Sequence, residues 1–359
     1  MSGRGLGRAA RAVWSGRGAG AAVARGVLLL PAALYRGALL VRNAAYDAGL
    51  LRSRRLPVPS IGVGNLAVGG TGKSPLARHL AGELGRRGCR VGILLRGYGG
   101  DEEEEYREAL PSAIVVAHAD RHRGAAEAVR RGADALVLDD CLQRRDVRPD
   151  VTLALVAAET AGGPRWPLPA GPWREGLSAL GRADALVVTR KSAPAGTASA
   201  LARSLAGRTR EGEGLVAELF PAHLVPLAGG EPMSLEGLRG RRVVALCGIG
   251  APEAFAAQLA GAGAGPVELL AFGDHHAYGG RDVAAACAAA GPGGLVVTTG
   301  KDAVKLRGLW PAAGPACWVA MLGVRVDEGD DYLARALDGL AAARRNLFRA
   351  AGEPLGERA

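Results

Sequence analysis

Short apolar runs alternate along the chain with longer stretches in which apolar residues recur at helical spacing. The runs have the length and the Val, Leu and Ala content of buried strands: Val91–Leu95, Ala113–Val116, Ala135–Leu138, Val151–Val156 and Ala185–Val188. Strands that alternate with helices in this way are typical of parallel sheets, whose crossover helices cover the faces. This part of the chain therefore predicts an α/β fold with helices on both faces of a parallel sheet.

A second set of strand-like runs follows a stretch rich in proline, glycine and charge at residues 221–240. These runs are Val243–Leu246, Val267–Leu270 and Gly294–Val297. With 359 residues, the chain is long enough for two domains with sizeable cores. We predict a flexible basic extension at residues 1–24, an N-terminal domain at residues 25–225 and a smaller α/β domain at residues 226–359.

The N-terminal region looks superficially like a signal peptide, because several arginines precede the apolar run Val27–Tyr35. Arg25 and Arg36 bracket this run closely, however, and no small-residue cleavage site follows, so export is not expected. The uncharged stretch is also shorter than the roughly 20 residues that a spanning helix needs. An amphipathic helix over residues 31–50 either lies in a membrane interface or packs on the core as an ordinary helix.

The segment Val68–Ser74 has the chemistry of a phosphate-binding loop. The chain has four lysines beside 41 arginines, and this segment carries Lys73. Glycines let backbone N–H groups converge on an anion, lysine neutralises the β- and γ-phosphates, and the following hydroxyl binds Mg²⁺. The strand-like run Ser60–Val63 precedes the loop and a helical stretch with Pro75 in its first turn follows it, which is the required order. Ala67 departs from the strict spacing, which has glycine at that position.

Acidic residues follow two of the predicted strands. Asp139 and Asp140 close a buried strand, the placement at which P-loop enzymes hold Mg²⁺ directly or through water. An ordinary acidic turn has the same pattern, so both interpretations stay open. Asp101 follows another strand, and the run from Glu102 to Glu105 is by default a solvated acidic patch.

Two further segments carry candidate chemistry. In Asp274-His275-His276, a carboxylate could orient one imidazole for proton transfer, and we expect one working histidine and one bystander rather than a metal-binding pair. Arg174 and Glu175 follow a rigid proline-glycine turn. They are either a phosphate contact and a metal contact or an ordinary surface pair.

Composition and charge narrow the range of partners. The net charge of +10 and the pI of about 9.9 suit an anionic membrane surface, nucleic acid or a phosphorylated substrate. No segment resembles a nucleic-acid-binding module, and the arginines are not interleaved with aromatic residues, so we expect no nucleic acid partner. The five cysteines are scattered without C-x-x-C spacing, which argues against a disulfide framework or a zinc site and fits a reducing cytoplasm. No protein partner is inferred.

In this order, the segments resemble the tetraacyldisaccharide 4'-kinase family, which phosphorylates the 4'-hydroxyl of a membrane-embedded acylated glucosamine disaccharide in lipid A biosynthesis. The resemblance runs from about residue 28 to residue 335. The family also places its first glycine early, before an asparagine, as Gly64 and Asn65 do here, so Ala67 supports the match. The other matching segments are Leu34-Tyr35, Tyr46–Leu50, Val63–Pro75, Arg96–Gly99, Gly100–Glu102, Asp120-Arg121, Leu138–Asp140, Leu142-Gln143, Leu168–Pro172, Arg174-Glu175, Phe272 with Asp274–His276, and Lys301–Lys305.

The resemblance implies a P-loop NTPase-like fold that uses ATP and Mg²⁺. The implied nucleotide-binding residues are Gly69, Gly70, Thr71, Gly72, Lys73, Ser74, Arg121 and Arg174. The implied magnesium environment consists of Ser74, Asp139, Asp140 and Glu175. Lys73 would act on the β- and γ-phosphates, and the two arginines would hold phosphates or stabilise transferred charge.

The resemblance also implies that Asp101, paired with His275 from the second domain, activates the sugar hydroxyl. This pairing would require the C-terminal domain to close over the active site, which would shield the reaction from water. The interfacial helix would let a peripheral or monotopic protein reach its lipid A disaccharide precursor from the cytoplasmic face of the bacterial inner membrane. The implied partners are that precursor and the membrane surface.

Three features depart from the family pattern, and the mildest is Gly300, where the family tends to carry an acidic residue. Arg144 stands where the family usually has histidine, and arginine cannot act as a neutral acceptor. The segment between Arg96–Gly99 and Gly100–Glu102 is contracted to nothing, so the assignment of Asp101 depends on placing that gap. A non-catalytic nucleotide-binding relative is therefore an alternative, which a gain in activity in Arg144→His would favour. A P-loop GTPase is a weaker one, because Gly300–Asp302 lacks the N-K-x-D spacing that reads guanine.

Overall fold

The computed structural model describes residues 13–14, 18–97, 100–249, 251–273 and 276–350. The helices are α1 (Ala19–Asp47), α2 (Lys73–Arg86), α3 (Gly100–Ala109), α4 (Arg121–Arg130), α5 (Ala158–Ala161), α6 (Ala195–Ala206), α7 (Pro252–Gly261), α8 (Gly280–Ala290), α9 (Gly300–Leu306) and α10 (Asp330–Ala350). The strands are β1 (Arg54–Arg55), β2 (Ser60–Asn65), β3 (Val91–Leu95), β4 (Ile114–Ala117), β5 (Ala135–Asp139), β6 (Val147–Arg148), β7 (Val151–Ala157), β8 (Ala185–Arg190), β9 (Glu213–Pro226), β10 (Met233–Ser234), β11 (Val243–Cys247), β12 (Val267–Ala271), β13 (Leu295–Thr299) and β14 (Cys317–Glu328).

The chain forms two compact units. Within the described residues, the larger unit comprises residues 13–190, 194–217 and 326–350, and the smaller unit comprises residues 191–193 and 218–325. The chain passes between the units at residues 190–194 and again within the long strands β9 and β14.

The larger unit is built on a parallel sheet with the strand order β8-β7-β2-β5-β3-β4. Every residue of β2 and β5 is buried, because these central strands are covered by helices. One core cluster joins Leu136 and Leu138 of β5 to Ala125 and Ala128 of α4. The predicted α/β fold with helices on both faces of a parallel sheet is confirmed.

The smaller unit contains a second parallel sheet with the strand order β12-β11-β13-β14, beside a short antiparallel pairing of β9 with β10. Alternate residues of β11 point to opposite faces. Val243 and Ala245 pack in the cluster that contains Phe255 of α7, whereas Val244 and Leu246 pack in the cluster that contains Val283 of α8. Both faces of this sheet are therefore covered, as predicted for a second α/β domain.

The C-terminal helix α10 differs from the predicted division of the chain. The sequence pattern predicts that residues 226–359 form the second domain, but α10 belongs to the larger unit, where it packs against α2 and β5. Nε of Arg344 lies 2.7 Å from Oδ2 of Asp134, whose side chain is almost fully buried. This ion pair joins the end of the chain to the turn before β5.

The N-terminal helix α1 also differs from its predicted bounds. It begins at Ala19 and contains Pro31, so residues 19–24 are helical rather than part of a flexible extension. The rest of the predicted extension, apart from residues 13–14 and 18, lies outside the described residues. By length and composition alone, α1 could cross a membrane. Its exposed apolar side chains include Val27, Leu30, Leu34 and Val41, each about two-thirds exposed or more.

Glycine at position 64 is required by close packing in β2. A Cβ at Gly64 would lie 2.4 Å from Cβ of Leu142 and 2.5 Å from the backbone nitrogen of Leu142. We expect Gly64→Ala to lower the free energy of unfolding by about 1–3 kcal/mol, because the backbone at Leu142 cannot yield as a flexible side chain would. Urea denaturation measures this change.

Gly82, in the middle of α2, is the matched control, since a Cβ there would meet no atom within 4 Å. Gly82→Ala should raise the free energy of unfolding by about 0.5–1 kcal/mol, the usual helix preference for alanine. If the two variants were equally stable, close packing at Gly64 would not be the constraint.

Candidate active site

A buried asparagine holds the loop between β2 and α2 in position through a hydrogen bond. Asn65 is fully buried at the end of β2, and its Nδ2 donates to Oγ1 of Thr71 at 3.0 Å. Gly72 has a φ of 86°, a left-handed conformation that glycine adopts without strain. Helix α2 begins at the next residue, Lys73. The loop therefore ends at a helix N-terminus, where free N–H groups and the helix dipole favour an anion.

Ser74 and Asp139 lie together although they are distant in the chain. Oγ of Ser74 donates to Oδ2 of Asp139 at 3.2 Å. Oδ1 of Asp139 is buried and has no hydrogen-bond partner within the described ranges. An unpartnered buried carboxylate oxygen is costly and points to a missing ligand. A hydroxyl and a carboxylate are hard oxygen donors, so this pair fits Mg²⁺.

Protein side chains alone do not form a complete metal cage here. No cluster of three or more His, Cys, Asp or Glu side chains suited to a metal occurs in the described part of the chain. Mg²⁺ in phosphoryl-transfer sites is usually held by one or two carboxylates together with substrate phosphates and water. The donor set of Ser74 and Asp139 agrees with a site of that type.

Asp140 contacts two cations. Its Oδ1 lies 3.4 Å from Nζ of Lys73, and Nη1 of Arg174 donates to Oδ1 and Oδ2 at 2.7 and 2.9 Å. Burial would raise the pKa of Asp140, but Lys73 and Arg174 together outweigh burial and hold this pKa below its usual value. Asp140 therefore stays ionised and holds Lys73 and Arg174 beside the loop.

Arg121 is a buried arginine that contacts the backbone at the end of β5. Its side chain is 1% exposed, and Nη2 donates to the backbone oxygen of Asp139 at 2.7 Å. Nε and Nη1 are covered and have no partner among the described residues. Burial lowers the pKa of this guanidinium below its ordinary value. In this structure Arg121 orders the backbone of Asp139, and its direct contact with phosphate stays a prediction.

Both carboxylate oxygens of Glu175 already have partners. Oε1 accepts from Nη2 of Arg182 at 2.7 Å, and Oε2 accepts from Nδ2 of Asn43 in α1 at 3.1 Å. Glu175 is 8% exposed. A role as a metal ligand stays a prediction, and the contacts seen here assign Glu175 to a buried polar link between α1 and the segment after β7.

The turn after Asp140 contains the residue that departs from the family. Nε of Arg144 donates to Oδ1 of Asp146 at 3.1 Å, and Nη2 donates to the backbone oxygen of Ala119 at 3.0 Å. The neighbouring Gln143 faces the loop instead, since its Nε2 donates to the backbone oxygen of Asn65 at 3.0 Å. Arg144 is thus occupied by a local ion pair and a backbone contact.

Tyr106 and Glu105 are parts of the site that the sequence analysis did not identify. The hydroxyl of Tyr106 donates to Oδ2 of Asp139 at 2.8 Å, and this side chain is 1% exposed. Burial raises the pKa of Tyr106, so the phenol stays protonated as the donor. Glu105 is not a solvated acid as predicted, because Nη1 of Arg78 lies 2.7 Å from its Oε1 and both side chains are largely buried. The aromatic residue in an otherwise charged helix is the signal that could have revealed the buried face of α3.

The predicted acid–base pair is only partly described. Asp101 lies in the first turn of α3, and its side chain is outside the described part of the structure. His275 also lies outside the described residues. His276 stacks on Phe272 with ring centroids 4.5 Å apart, and its Nε2 lies 3.0 Å from Oδ2 of Asp282.

A glycine-rich loop that ends at a helix N-terminus, with Lys73, Ser74 and a carboxylate on the neighbouring strand, defines a P-loop NTPase-like protein. A family model described as Tetraacyldisaccharide-1-P 4'-kinase matches residues 25–112 and 100–341. The chain belongs to the tetraacyldisaccharide 4'-kinase family, so the resemblance seen in the sequence is confirmed.

Relatives match over most of their length. Tetraacyldisaccharide 4'-kinase of Anaeromyxobacter sp. (strain Fw109-5) is 36% identical over 364 residues, which cover 94% of this chain and 98% of the relative. The enzyme of the same name from Geobacter sulfurreducens is 36% identical and covers 80% of this chain and 86% of the relative. The crystal structure of LpxK from Aquifex aeolicus in complex with ATP is 26% identical, with a TM-score of 0.67 and coverage of 88% of this chain and 99% of that one.

The contacts of Glu175 predict a loss of stability when its charge is removed. Glu175→Gln should lower the free energy of unfolding by about 3 kcal/mol, because Arg182 would keep a largely buried charge without a carboxylate partner. Urea denaturation measures the change. As a control, Glu127→Gln removes ion pairs with the exposed side chains of Arg130 and Arg131 and should have a much smaller effect on stability. Equal losses in the two variants would contradict the structural role of Glu175.

Proposed function

We propose that this protein transfers the γ-phosphoryl group of ATP to the 4'-hydroxyl of a tetraacylated glucosamine disaccharide 1-phosphate, a step of lipid A biosynthesis. The observation that carries the proposal is family membership over most of the chain together with a phosphate-binding loop at the end of β2. Lys73, Ser74 and Asp139 supply the groups that a P-loop kinase needs around the phosphates.

The phosphates would bind at the N-terminus of α2, where Lys73 neutralises the charge on their β and γ groups. Asp140, which Arg174 holds in place, keeps the ammonium group of Lys73 beside the loop before the nucleotide arrives. Such preorganisation means that little rearrangement is needed when charge develops on the transferred group. Ser74 and Asp139 would hold Mg²⁺, which when bound neutralises charge on the phosphate oxygens.

The transfer itself forms a bond between the sugar 4'-oxygen and the γ-phosphorus and breaks the bond from that phosphorus to the β–γ bridging oxygen, so that ADP leaves. The hydroxyl must lose its proton, and we assign Asp101 as the acceptor with His275 as its partner. The position of Asp101 supports this assignment. Asp101 lies at the start of α3, and Tyr106 of the same helix donates a hydrogen bond to Asp139.

The alternatives receive no support from the structure. Arg144 contacts Asp146 and Ala119 and leaves Lys73 and Asp139 undisturbed, so it gives no reason to infer a non-catalytic protein. Asp302, which a guanine-reading motif would need at the surface, is 0% exposed, and its Oδ2 accepts from the backbone nitrogen of Gly248 at 2.9 Å.

For membrane association, the exposed apolar side chains of α1 carry the argument. We propose that α1 lies in the interface of the cytoplasmic leaflet of the inner membrane, as in a peripheral or monotopic protein. Val27, Leu30 and Leu34 would enter the acyl boundary, and the arginines of the N-terminal region would attract anionic head groups.

The kinase activity is tested with Mg-ATP and tetraacylated disaccharide 1-phosphate in mixed micelles, by following phosphate transfer to the lipid. Lys73→Ala should lower kcat by about 100-fold or more, because the transferred charge loses its main cation. Arg86→Ala, at the other end of α2 and largely exposed, is the control and should keep the wild-type rate. If the wild-type protein bound ATP without any transfer, the kinase proposal would fail in favour of a non-catalytic protein.

The membrane proposal is tested by co-sedimentation with vesicles that contain phosphatidylglycerol. The double variant Leu30→Ser/Leu34→Ser should bind vesicles about tenfold or more weakly, because two exposed leucines can no longer enter the bilayer. Leu309→Ser changes an exposed leucine of the smaller unit, 41% exposed, and should bind like the wild type. Unchanged binding by the double variant would contradict an interfacial α1.

A further inference from the structure

The two oxygens of the Asp139 carboxylate have different environments. Oδ2 accepts two hydrogen bonds, from Oγ of Ser74 at 3.2 Å and from the hydroxyl of Tyr106 at 2.8 Å. Oδ1 is buried and accepts none from the described residues. The proposed function gives Ser74 a reason to be there, because the loop hydroxyl is a metal ligand. It gives none for Tyr106.

Tyr106 reaches Asp139 from a helix that is anchored on α2. Its hydroxyl lies 3.4 Å from the backbone oxygen of Ser74, so it touches both sides of the Ser74–Asp139 pair. One residue earlier, Glu105 pairs with Arg78 of α2 at 2.7 Å, and both of these side chains are largely buried. Two polar contacts therefore fix α3: the Glu105–Arg78 pair joins it to α2, and the hydrogen bond from Tyr106 to Asp139 joins it to β5.

A carboxylate can present one particular oxygen to a ligand only if hydrogen bonds hold its other oxygen in place. Rotation about the terminal bond of aspartate is broad and nearly two-fold, so the side chain does not by itself choose which oxygen it presents. The serine hydroxyl can bind a cation through a lone pair and still donate its proton, so both hydrogen bonds to Oδ2 are compatible with a bound ion. Of these two donors, only Tyr106 lies outside the phosphate-binding loop, on a helix that the Glu105–Arg78 pair fixes to α2.

We propose that Tyr106 is a positioning residue for the magnesium site: its hydroxyl holds Oδ2 of Asp139 so that Oδ1 is the oxygen presented to the metal ion. This inference rests on the proposed function. It adds that α3, the helix that begins beside Asp101, is fixed to the metal carboxylate by the same hydroxyl. Hydrogen bonds that orient a metal ligand contribute strongly to metal affinity even though the donor never touches the metal.

The test measures metal affinity rather than turnover. Mn²⁺ is titrated into the full-length protein at saturating concentrations of a non-hydrolysable ATP analogue, and free Mn²⁺ is followed by electron paramagnetic resonance. Tyr106→Phe keeps the ring and removes the hydroxyl, and it should weaken Mn²⁺ binding by about tenfold while changing metal-free analogue affinity by less than about twofold. Unchanged Mn²⁺ affinity in a folded Tyr106→Phe protein would overturn the proposal.

The matched control removes a different buried phenol hydroxyl from the same unit. Tyr332 lies in α10 and is 8% exposed, and burial together with the neighbouring Glu211 raises the pKa of its phenol. Tyr332→Phe should leave Mn²⁺ affinity unchanged. An equal loss of Mn²⁺ affinity in both variants would mean a general loss of stability and would also overturn the proposal.

Two further outcomes are separated by design. If the wild-type protein bound no ATP analogue, both the proposed function and the role of Tyr106 would fail. If the wild-type protein bound the analogue and Mn²⁺ tightly and Tyr106→Phe bound them equally well, only the role of Tyr106 would fail. If Tyr106→Phe did not fold, Tyr106→Leu, which also lacks the hydroxyl, would replace it. Failure of both variants to fold would assign Tyr106 to the core and overturn a positioning role.

Discussion

The parallel pairing of β2 with β5 determines where every part of this site can lie. Val63 of β2 is in register with Asp139 of β5, so the strand that enters the phosphate-binding loop ends beside the strand that ends in the acidic pair. The turn after Asp140 then passes over β2, where the backbone nitrogen of Cys141 donates to the oxygen of Val63 at 3.0 Å. Glycine at positions 62 and 64 leaves the space for this turn, since a Cβ at either would overlap Cys141 or Leu142. Backbone packing, more than any side-chain pair, therefore brings loop and carboxylates together.

Charge around this edge is balanced locally although the chain carries a net charge of +10. Asp140 lies between Lys73 and Arg174, and Glu175 pairs with Arg182. Buried ions need such partners, because desolvation is otherwise too costly. Asp139 is the exception: it has hydrogen-bond donors on one oxygen, and no cation is paired with it in the described structure. Asp139 is therefore the acid at which the proposed Mg²⁺ would supply the missing positive charge.

The sequence predicted the parts of the site that depend on local pattern. Lys73, Ser74 and Asp139 follow apolar runs whose spacing reveals strands, and the carboxyl ends of parallel strands share an edge, so their meeting could be expected. The contact between Tyr106 and Asp139 spans 33 residues and depends on the packing of one side of α3, which a run of four glutamates conceals. The return of α10 to the larger unit was equally hidden, because the ion pair of Arg344 with Asp134 leaves no periodic signal. Long-range polar contacts were missed for one physical reason: they require no particular spacing along the chain.

Helix α1 is joined to the same network through polar contacts rather than through its apolar face. Asn43 donates to Glu175, and Nη2 of Arg42 donates to the backbone oxygen of Gln143 at 3.1 Å. Arg145 returns the contact, with Nη1 donating to the oxygen of Asn43 at 2.9 Å. The partners of α1, which are Gln143, Arg145 and Glu175, lie close in the chain to Asp140 and Arg174. A shift of α1 along its axis would therefore move residues beside the phosphate-binding loop. The apolar side of the helix is thereby left uncovered while its polar side is fixed. This division agrees with the proposed position of α1 at a lipid surface.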